Sequence, residues 1–266
     1  LTVWFTTIAC ALIGFWDDWM KISNRRSLGL SGKRKMLALG IIAGVVSLVS
    51  HYFLKIDTSV VIPFMKSTFD LGPCYYLLLF FVLVGASNAV NLTDGLDGLA
   101  AGTVTISLMT FIGISFILWD RNLGSHFPLT IGTPGSREIA VFCAALAGAC
   151  VGFLWFNAHP ARVFMGDTGS LAIGGLLGVV AICCKQELLL VLVGGVFVIE
   201  ATSVLIQRTV FKVTKRLYGE GRRVFKMSPI HHHFELQGWP ENVVIVRFWI
   251  LSVLFALLGL ATLKLR

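Results

Sequence analysis

The feature that most constrains this chain is the recurrence of long apolar segments, each bounded by a few polar residues. Segments of about 17 to 25 apolar residues are long enough for a helix to cross the hydrocarbon layer of a membrane. Apolar residues make up 56% of the chain and charged residues only 14%, which excludes a soluble domain. The short alternating segments of a transmembrane barrel do not occur. The sequence therefore predicts an all-α polytopic integral membrane protein.

We predict eight membrane spans, joined by loops that alternate between the two faces of the membrane. The β-branched residues at 58–62 and the Gly72-Pro73 turn are compatible with a short β-hairpin on the outer surface. The predicted spans lie at roughly 1–16, 35–53, 74–90, 99–118, 138–156, 168–184, 188–207 and 244–263.

The distribution of basic residues predicts the orientation of these spans. Of the 22 Lys and Arg residues, 15 belong to the loops near 17–35, 91–98, 157–167 and 208–247, and 7 belong to the other face. Because basic loops stay in the cytoplasm, the first set is predicted to be cytoplasmic. The net charge of +8 is then mainly a topology signal. It also favours binding to anionic lipid or to an anionic substrate. No nucleic-acid partner is expected, because the basic residues lack a soluble scaffold.

Acidic residues gather at one predicted face. Five of the 14 acidic residues lie at the cytoplasmic ends of four different spans, whereas chance would place them on both faces. Carboxylates beside a membrane span are costly, and they mark function by default. We therefore predict one composite site that contains Asp17, Asp18, Asp94, Asp97 and Asp167.

The residue types around this cluster favour phosphoryl transfer assisted by a metal ion. Carboxylate oxygens are the ligands of Mg²⁺, which is held by one or two of them together with substrate phosphates. Lys21, Lys33 and the basic loop at 208–243 are placed to neutralise phosphate charge. Such catalysis consists mainly of positioning and charge neutralisation. A site at the membrane surface suits one water-soluble and one lipid substrate.

Each acidic motif also has a purely structural interpretation. Asp17 and Asp18 are compatible with a helix end that faces water, and Asp94 and Asp97 with caps of the following helix. Asp167 is compatible with a cap of the span that starts near 168.

Three other features also allow a second interpretation. The histidines at 231–233 are compatible with a zinc site, which we discount because adjacent histidines on a helix cannot all face one ion. Glu200 lies within a span, and we favour an interhelical hydrogen-bond partner over a residue that lines the site. Phe164 lies in a loop, which favours stacking on a base over packing in the core.

Five motifs give the chain a family resemblance that covers its whole length. They lie at 14–21, 88–99, 153–157, 163–170 and 229–235. With them the chain resembles the phospho-N-acetylmuramoyl-pentapeptide transferases of bacterial peptidoglycan synthesis, within the polyprenyl-phosphate N-acetylhexosamine-1-phosphate transferase superfamily. The histidine triplet is the most specific motif, since the related GlcNAc-1-phosphate transferases carry a different histidine pattern.

The resemblance implies a multi-pass transferase of the bacterial inner membrane with its active site on the cytoplasmic face. It implies ten spans, which fits eight here if two N-terminal helices are missing from a single transferase domain over 1–266. Undecaprenyl phosphate would attack UDP-MurNAc-pentapeptide and give UMP and undecaprenyl-diphospho-MurNAc-pentapeptide (lipid I), with Mg²⁺ as cofactor. A homodimer is also implied.

The resemblance also implies roles for individual residues. Asp167 would be the main Mg²⁺ ligand with Asp17 beside it, and Asp17 and Asp18 would orient or deprotonate the lipid phosphate. His231 would position phosphate or metal, and a covalent carboxylate intermediate stays open. Asp97 would contact uracil and Phe164 would stack on it. The other predicted substrate-binding residues are Lys21, Lys33, Asn88, Asn91, Asp94, Asn157, Gly166, Gln207, His232 and His233.

Three rival functions remain at this stage. A sister enzyme that transfers GlcNAc-1-phosphate is disfavoured by the histidine triplet. An ion or solute transporter would hold its charged groups near the midplane and would often show repeat symmetry, neither of which the sequence indicates. A structural scaffold has no need for so many carboxylates on one face.

Overall fold

The computed structural model describes residues 1–25, 29–65, 67–120 and 135–265. Within these ranges the chain forms ten α-helices and one pair of short strands. They are α1 (Thr2–Ser23), α2 (Gly32–Tyr52), β1 (Ser59–Val61), β2 (Thr68–Asp70), α3 (Cys74–Thr93), α4 (Leu99–Trp119), α5 (Ser136–Asn157), α6 (Gly166–Cys183), α7 (Leu189–Val193), α8 (Gly195–Tyr218), α9 (Ile230–Glu235) and α10 (Glu241–Leu265).

Six of the described helices are long and apolar enough to cross a membrane, namely α2, α3, α4, α5, α6 and α10. Each has at least 18 residues, which matches the thickness of the hydrocarbon layer. The helices α1 and α8 are also long, but both begin apolar and end in charged residues. The predicted class, an all-α polytopic membrane protein, is confirmed, whereas the count of eight spans stays a prediction.

Helix α6 forms the centre of the bundle, because every residue from 170 to 183 is buried. Helix α1 packs along one side of α6 and α3 along the other. Two glycines make both contacts close: a Cβ on Gly174 would lie 2.7 Å from the Cα atom of Ser87 in α3, and a Cβ on Gly175 would lie 2.5 Å from Cys10 Sγ in α1. Small residues allow helix backbones to approach in this way, where lipid gives no hydrophobic drive to association.

The predicted span at 188–207 is not one continuous helix. The short helix α7 ends at Val193, Gly194 interrupts the helix, and α8 then runs continuously to Tyr218. Adjacent glycines are a common place for a helix to break, and Gly195 packs against the ring of Phe255 in α10. Helix α8 therefore extends well beyond residue 207 and carries polar side chains towards the loop that follows it.

The strands lie at the opposite end of α6 from Asp167. β1 pairs antiparallel with β2, and Ser59 lies opposite Asp70. The ammonium group of Lys185, which follows α6, donates to the backbone carbonyls of Asp57 and Ser59 at 2.6 Å each. An α6 of 18 residues separates these strands from Asp167 by about 27 Å. The position of the strands relative to the membrane stays a prediction.

Candidate metal and phosphate site

The site is built where α1 crosses the first turn of α6. A Cβ on Gly14 would overlap the backbone carbonyl of Asp167, so the two helices touch at this point. The next turn of α1 carries Asp17 and Asp18, which this crossing brings against the N-terminus of α6. Gly14 therefore sets the distance between the acidic residues of α1 and Asp167 of α6, which are about 150 positions apart in the chain.

We expect Gly14→Leu to lower the thermal stability of the protein, because the new side chain forces α1 away from α6. Overpacking of this kind typically costs about 1–3 kcal/mol. Fluorescence-detected unfolding in detergent measures the loss as a lower melting temperature. Gly148→Leu is the matched control, since a Cβ on Gly148 of α5 meets no atom within 4 Å. Equal melting temperatures for the two variants would contradict the close crossing.

Three carboxylates come together at this crossing. Asp17, Asp18 and Asp167 each offer an oxygen, and these oxygens all lie within 4.8 Å of one another. Asp17 is only 1% exposed, and its Oδ1 accepts a hydrogen bond from the Leu30 N–H at 2.7 Å. A buried carboxylate is costly unless cations or donors surround it. The group therefore needs positive charge to be stable.

Asp18 caps helix α6 from a neighbouring helix. Its Oδ2 accepts hydrogen bonds from the backbone N–H and the hydroxyl of Thr168 at 2.9 and 2.7 Å, and its Oδ1 accepts from the Asp167 N–H at 3.3 Å. The free N–H groups and partial positive charge of a helix N-terminus stabilise such a carboxylate. The alternative that Asp167 itself caps α6 is wrong, because Asp18 fills that role.

Asp167 is oriented by neighbours from two other helices. Its Oδ1 accepts a hydrogen bond from the Asn91 amide at 2.9 Å, and the same amide donates to Ser170 at 2.8 Å. Its Oδ2 pairs with the ammonium groups of Lys35 at 2.5 Å and Lys21 at 3.3 Å. Asn91, which was predicted to bind substrate, thus contacts the carboxylate that was predicted to hold the metal.

Lys35 is the basic residue of the site that sequence reasoning missed. It lies in the first turns of α2 and also approaches Asp17 at 3.5 Å. The sequence analysis chose Lys33 instead, which the structure leaves exposed. Residues two apart on a helix point in different directions. Only the register of α2 decides which lysine meets the carboxylates, and that register is set by tertiary packing.

Asp94 lies at the end of α3, beside the same cluster. Burial, together with the nearby charges of Asp167 and Asp18, raises the pKa of its carboxyl to about 7. Asp94 is therefore poised between its protonated and ionised forms near neutral pH. Perturbed carboxyl groups of this kind are characteristic of functional sites.

Asp97 belongs to a second group at the same end of the bundle. Its Oδ2 lies 2.9 Å from the Ala161 N–H and 3.2 Å from His159 Nδ1, and its own N–H donates to Glu241 Oε1 at 3.1 Å. Asp97, His159 and Glu241 also each offer a possible ligand atom within 4.8 Å of the others. His159 and Glu241 were not predicted, and no sequence spacing connects them to Asp97.

The loop after α5 presents the aromatic residue that was predicted to stack. Buried Asn157 donates to the Val163 carbonyl at 2.8 Å and so closes this loop. Phe164 is 75% exposed. Gly166 follows two residues later, and its Cα faces Asp18. The exposed ring is free to stack on a planar group, whereas Asn157 has a structural contact of its own.

The three histidines of helix α9 lie in three different environments. His231 is fully buried against Glu200 of α8, and His232 lies 2.6 Å from the Glu235 carboxylate. His233 accepts a hydrogen bond from the Lys226 N–H at 3.1 Å and so contacts the preceding loop.

Two of the predicted substrate-binding amides are engaged with the backbone. The Gln207 side chain bonds to the backbone of Val224 and Phe225, with all three contacts at 2.9 Å. Asn88 donates to the Val84 carbonyl, one turn earlier in its own helix, at 2.8 Å. Their predicted roles in binding substrate stay predictions.

The fold and site define a polytopic membrane enzyme, and the comparisons give its class. Residues 1–185 match glycosyl transferase family 4. A curated phospho-N-acetylmuramoyl-pentapeptide-transferase of Rickettsia rickettsii (strain Sheila Smith) is 47% identical over 99% of this chain and 73% of its own length. The relatives of the same name from Rickettsia africae (47%) and Rickettsia bellii (46%) match over the same shares. The chain therefore belongs to the phospho-N-acetylmuramoyl-pentapeptide-transferase family.

Proposed function

We propose that this protein transfers phospho-MurNAc-pentapeptide from UDP-MurNAc-pentapeptide to undecaprenyl phosphate and releases UMP. The identity of 47% over nearly the whole chain supports this reaction. The observation that carries it is the group of Asp17, Asp18 and Asp167 with Lys21 and Lys35 among them. In the reaction an oxygen of the lipid phosphate forms a new P–O–P bond, and the bond between the two phosphates of the UDP group breaks. One phosphoanhydride replaces another, so the equilibrium lies near balance.

The three carboxylates fit a magnesium ion as the cofactor. Their oxygens are hard donors that lie within 4.8 Å of one another, and Oδ2 of buried Asp17 has the Lys21 ammonium group at 2.6 Å as its polar partner. Asp167 and Asp17 would hold the ion, while Asp18 stays with the N-terminus of α6. When bound, Mg²⁺ would neutralise charge on the diphosphate that is cleaved in the reaction. This assignment agrees with the preference of Mg²⁺ for few carboxylates and several phosphate oxygens.

The lysines of the site would bind the substrate phosphates. Lys21 lies 2.6 Å from Asp17, and Lys35 lies 2.5 Å from Asp167, so both are held at the cluster before substrate arrives. Such preorganised charge costs little reorganisation during the reaction. Asp17 would then orient the lipid phosphate, and buried His231 would position the phosphate side of the site from α9. A direct attack and a covalent intermediate both remain compatible with this arrangement.

The second group of residues would form the nucleotide pocket. Asp97 would contact the uracil edge, and exposed Phe164 would stack on the ring. Gly166 and His232 would line this pocket, and Asp94 would face the ribose and diphosphate. Asn157, Gln207 and His233 would support its loops through the backbone contacts already described.

The topology of the active protein follows from the same assignment. We propose that the acidic end of α6 faces the cytoplasm, where UDP-MurNAc-pentapeptide is available, and that the β1–β2 pair faces outward. The apolar parts of α1 and α8 would cross the membrane and complete eight spans in one transferase domain. A homodimer in a bacterial inner membrane is part of this proposal.

We expect the affinity for Mg²⁺ to rise as the pH increases from 6 to 8. The raised pKa of Asp94, about 7, means that its carboxyl loses a proton in this range and adds negative charge beside the cluster. A shift of one pKa unit on metal binding corresponds to about a tenfold change in affinity. The half-saturating Mg²⁺ concentration for UMP release measures this effect. Asp94→Asn should flatten the pH dependence, and an unchanged slope would exclude Asp94 as its source.

Release of UMP by the purified protein tests the proposed reaction. The assay contains undecaprenyl phosphate and Mg²⁺ with either UDP-MurNAc-pentapeptide or UDP-GlcNAc, and EDTA in a parallel sample. We expect release only with the muramoyl substrate, the lipid and the metal together. Release with UDP-GlcNAc alone would assign the protein to the sister transferases, and release without lipid would contradict transfer to a polyprenyl carrier.

A further inference from the structure

Glu200 is a carboxylate in an apolar part of α8 that the proposed mechanism does not use. It is fully buried, with 0% of its surface exposed. It shares one face of α8 with Ser203 and Gln207, at the spacing of successive helical turns. A buried carboxylate is retained only where a partner offsets its desolvation. The partner of Glu200 therefore indicates what the carboxylate does.

The charged neighbour of Glu200 is His231, the first histidine of the triplet. Glu200 Oε2 lies 3.1 Å from His231 Nδ1, and the imidazole is also 0% exposed. The angle at Nδ1 is not that of a directed hydrogen bond, and among the described residues neither carboxylate oxygen and neither ring nitrogen has one. The two groups therefore have mainly each other as polar partners in this part of the protein.

The other side of the His231 ring faces the acidic turn of the site. A Cβ on Gly95 would overlap His231 Nε2, so the ring lies directly against the turn that follows Asp94. His232 packs on His231 edge-to-face, with the ring centroids 4.2 Å apart. Glu200 lies at Nδ1 and Gly95 lies at Nε2, so the ring is held from both sides. Glu200 thus keeps the imidazole against the Asp94–Gly95 turn.

We propose that Glu200 is a positioning residue, which holds His231 against the Asp94–Gly95 turn and so fixes the acidic side chains that face the diphosphate of the substrate. The inference rests on the proposed function for the identity of that substrate, but the pairing itself does not. Residues that orient a functional histidine through its second nitrogen typically contribute about 10-fold to 100-fold to activity or affinity. Glu200 of α8 would then act on the site through His231, without contacting the substrate itself.

Two double-mutant cycles test this proposal with Glu200→Leu, His231→Ala and the double variant. The first cycle uses melting temperature in detergent, which needs no substrate. Each single change leaves one buried group without its partner, so we expect the double variant to lose less than the sum of the single losses. Additive losses would overturn the pairing, whatever reaction the protein catalyses.

The second cycle uses kcat for UMP release. We expect Glu200→Leu to lower kcat by about 10-fold to 100-fold with KM for the nucleotide nearly unchanged, and to cause no further loss once His231 is alanine. Glu200→Gln, which keeps the shape and an acceptor oxygen, should retain more activity than Glu200→Leu. A Glu200→Leu loss that persists in the His231→Ala background would overturn the positioning role.

His233 provides the matched control for both cycles. It lies two residues further along α9, and its ring contacts Lys226 and Gln237 instead of Glu200. We expect Glu200→Leu and His233→Ala to have additive effects on melting temperature and kcat. Non-additivity of the same size with His233 would contradict a specific contact between Glu200 and His231. If wild-type protein accepts only another nucleotide sugar, the proposed function fails, the first cycle stands unchanged and the second cycle is measured with that substrate.

Discussion

Asp167→Asn should reduce kcat for UMP release by at least about 10³-fold, the largest loss that we expect from a conservative single substitution. The carboxylate of Asp167 contacts both site lysines and lies among the three oxygens of the proposed ligand set. The asparagine has the same shape but lacks the charge that balances Lys35 and holds the metal. Saturating Mg²⁺ should not restore activity, because the ligand itself is missing.

Asn91→Ala is the graded comparison for this experiment. It removes the amide that donates to Asp167 at 2.9 Å but leaves the carboxylate in place. We expect a loss of about 10-fold, intermediate between wild type and Asp167→Asn. Melting temperatures show whether each variant is folded. Unchanged turnover of folded Asp167→Asn at saturating Mg²⁺ would remove Asp167 as the metal ligand.

Lys35→Ala should reduce kcat by about 10²-fold, the second largest effect. The Lys35 ammonium group is held at the carboxylate cluster, where it would bind a phosphate oxygen of the substrate. Its loss would remove positive charge from the place where the proposed reaction cleaves the diphosphate. Steady-state UMP release at saturating Mg²⁺ measures the change.

Lys33→Ala is the informative comparison, because the sequence alone favoured Lys33. The structure leaves this side chain exposed in the first turn of α2, so we expect a loss of less than about threefold, because solvent and salt screen a surface charge. A large loss for Lys33→Ala with a small one for Lys35→Ala would reverse the assignment. It would also show that α2 has a different register in the active protein.

The membrane class and the composite site could be predicted because both depend on patterns along the chain. Long apolar segments predict helices, and acidic residues at the ends of those helices indicate function because lipid makes them costly. Of the five carboxylates predicted to share one site, Asp17, Asp18 and Asp167 lie within 4.8 Å of one another, whereas Asp97 lies in a second group with His159 and Glu241. Gly14, which allows the meeting, lies in a recognised motif, but its role became clear only from the crossing of α1 and α6.

Other features depend on tertiary contacts that no local pattern encodes. The sequence does not reveal that Asp18 caps α6, since the cap comes from a different helix. It does not place Lys35 rather than Lys33 at the cluster, since that depends on helix register. The interhelical hydrogen bond expected for Glu200 is not formed, and only the packing of α8 against α9 identifies His231 as its charged neighbour at 3.1 Å. The sequence also does not reveal that the helix is interrupted at Gly194, because this residue lies within one continuous apolar segment.

The measurement that tests the central claim most directly is Mn²⁺ binding, followed by electron paramagnetic resonance. Mn²⁺ accepts the same oxygen ligands as Mg²⁺, and the described residues hold two groups that are able to bind it. We predict that wild-type protein and Asp97→Asn bind Mn²⁺ alike, and that Asp167→Asn loses the tight site. Tight binding that survives Asp167→Asn but disappears in Asp97→Asn would place the metal beside His159 and Glu241 and would contradict the account.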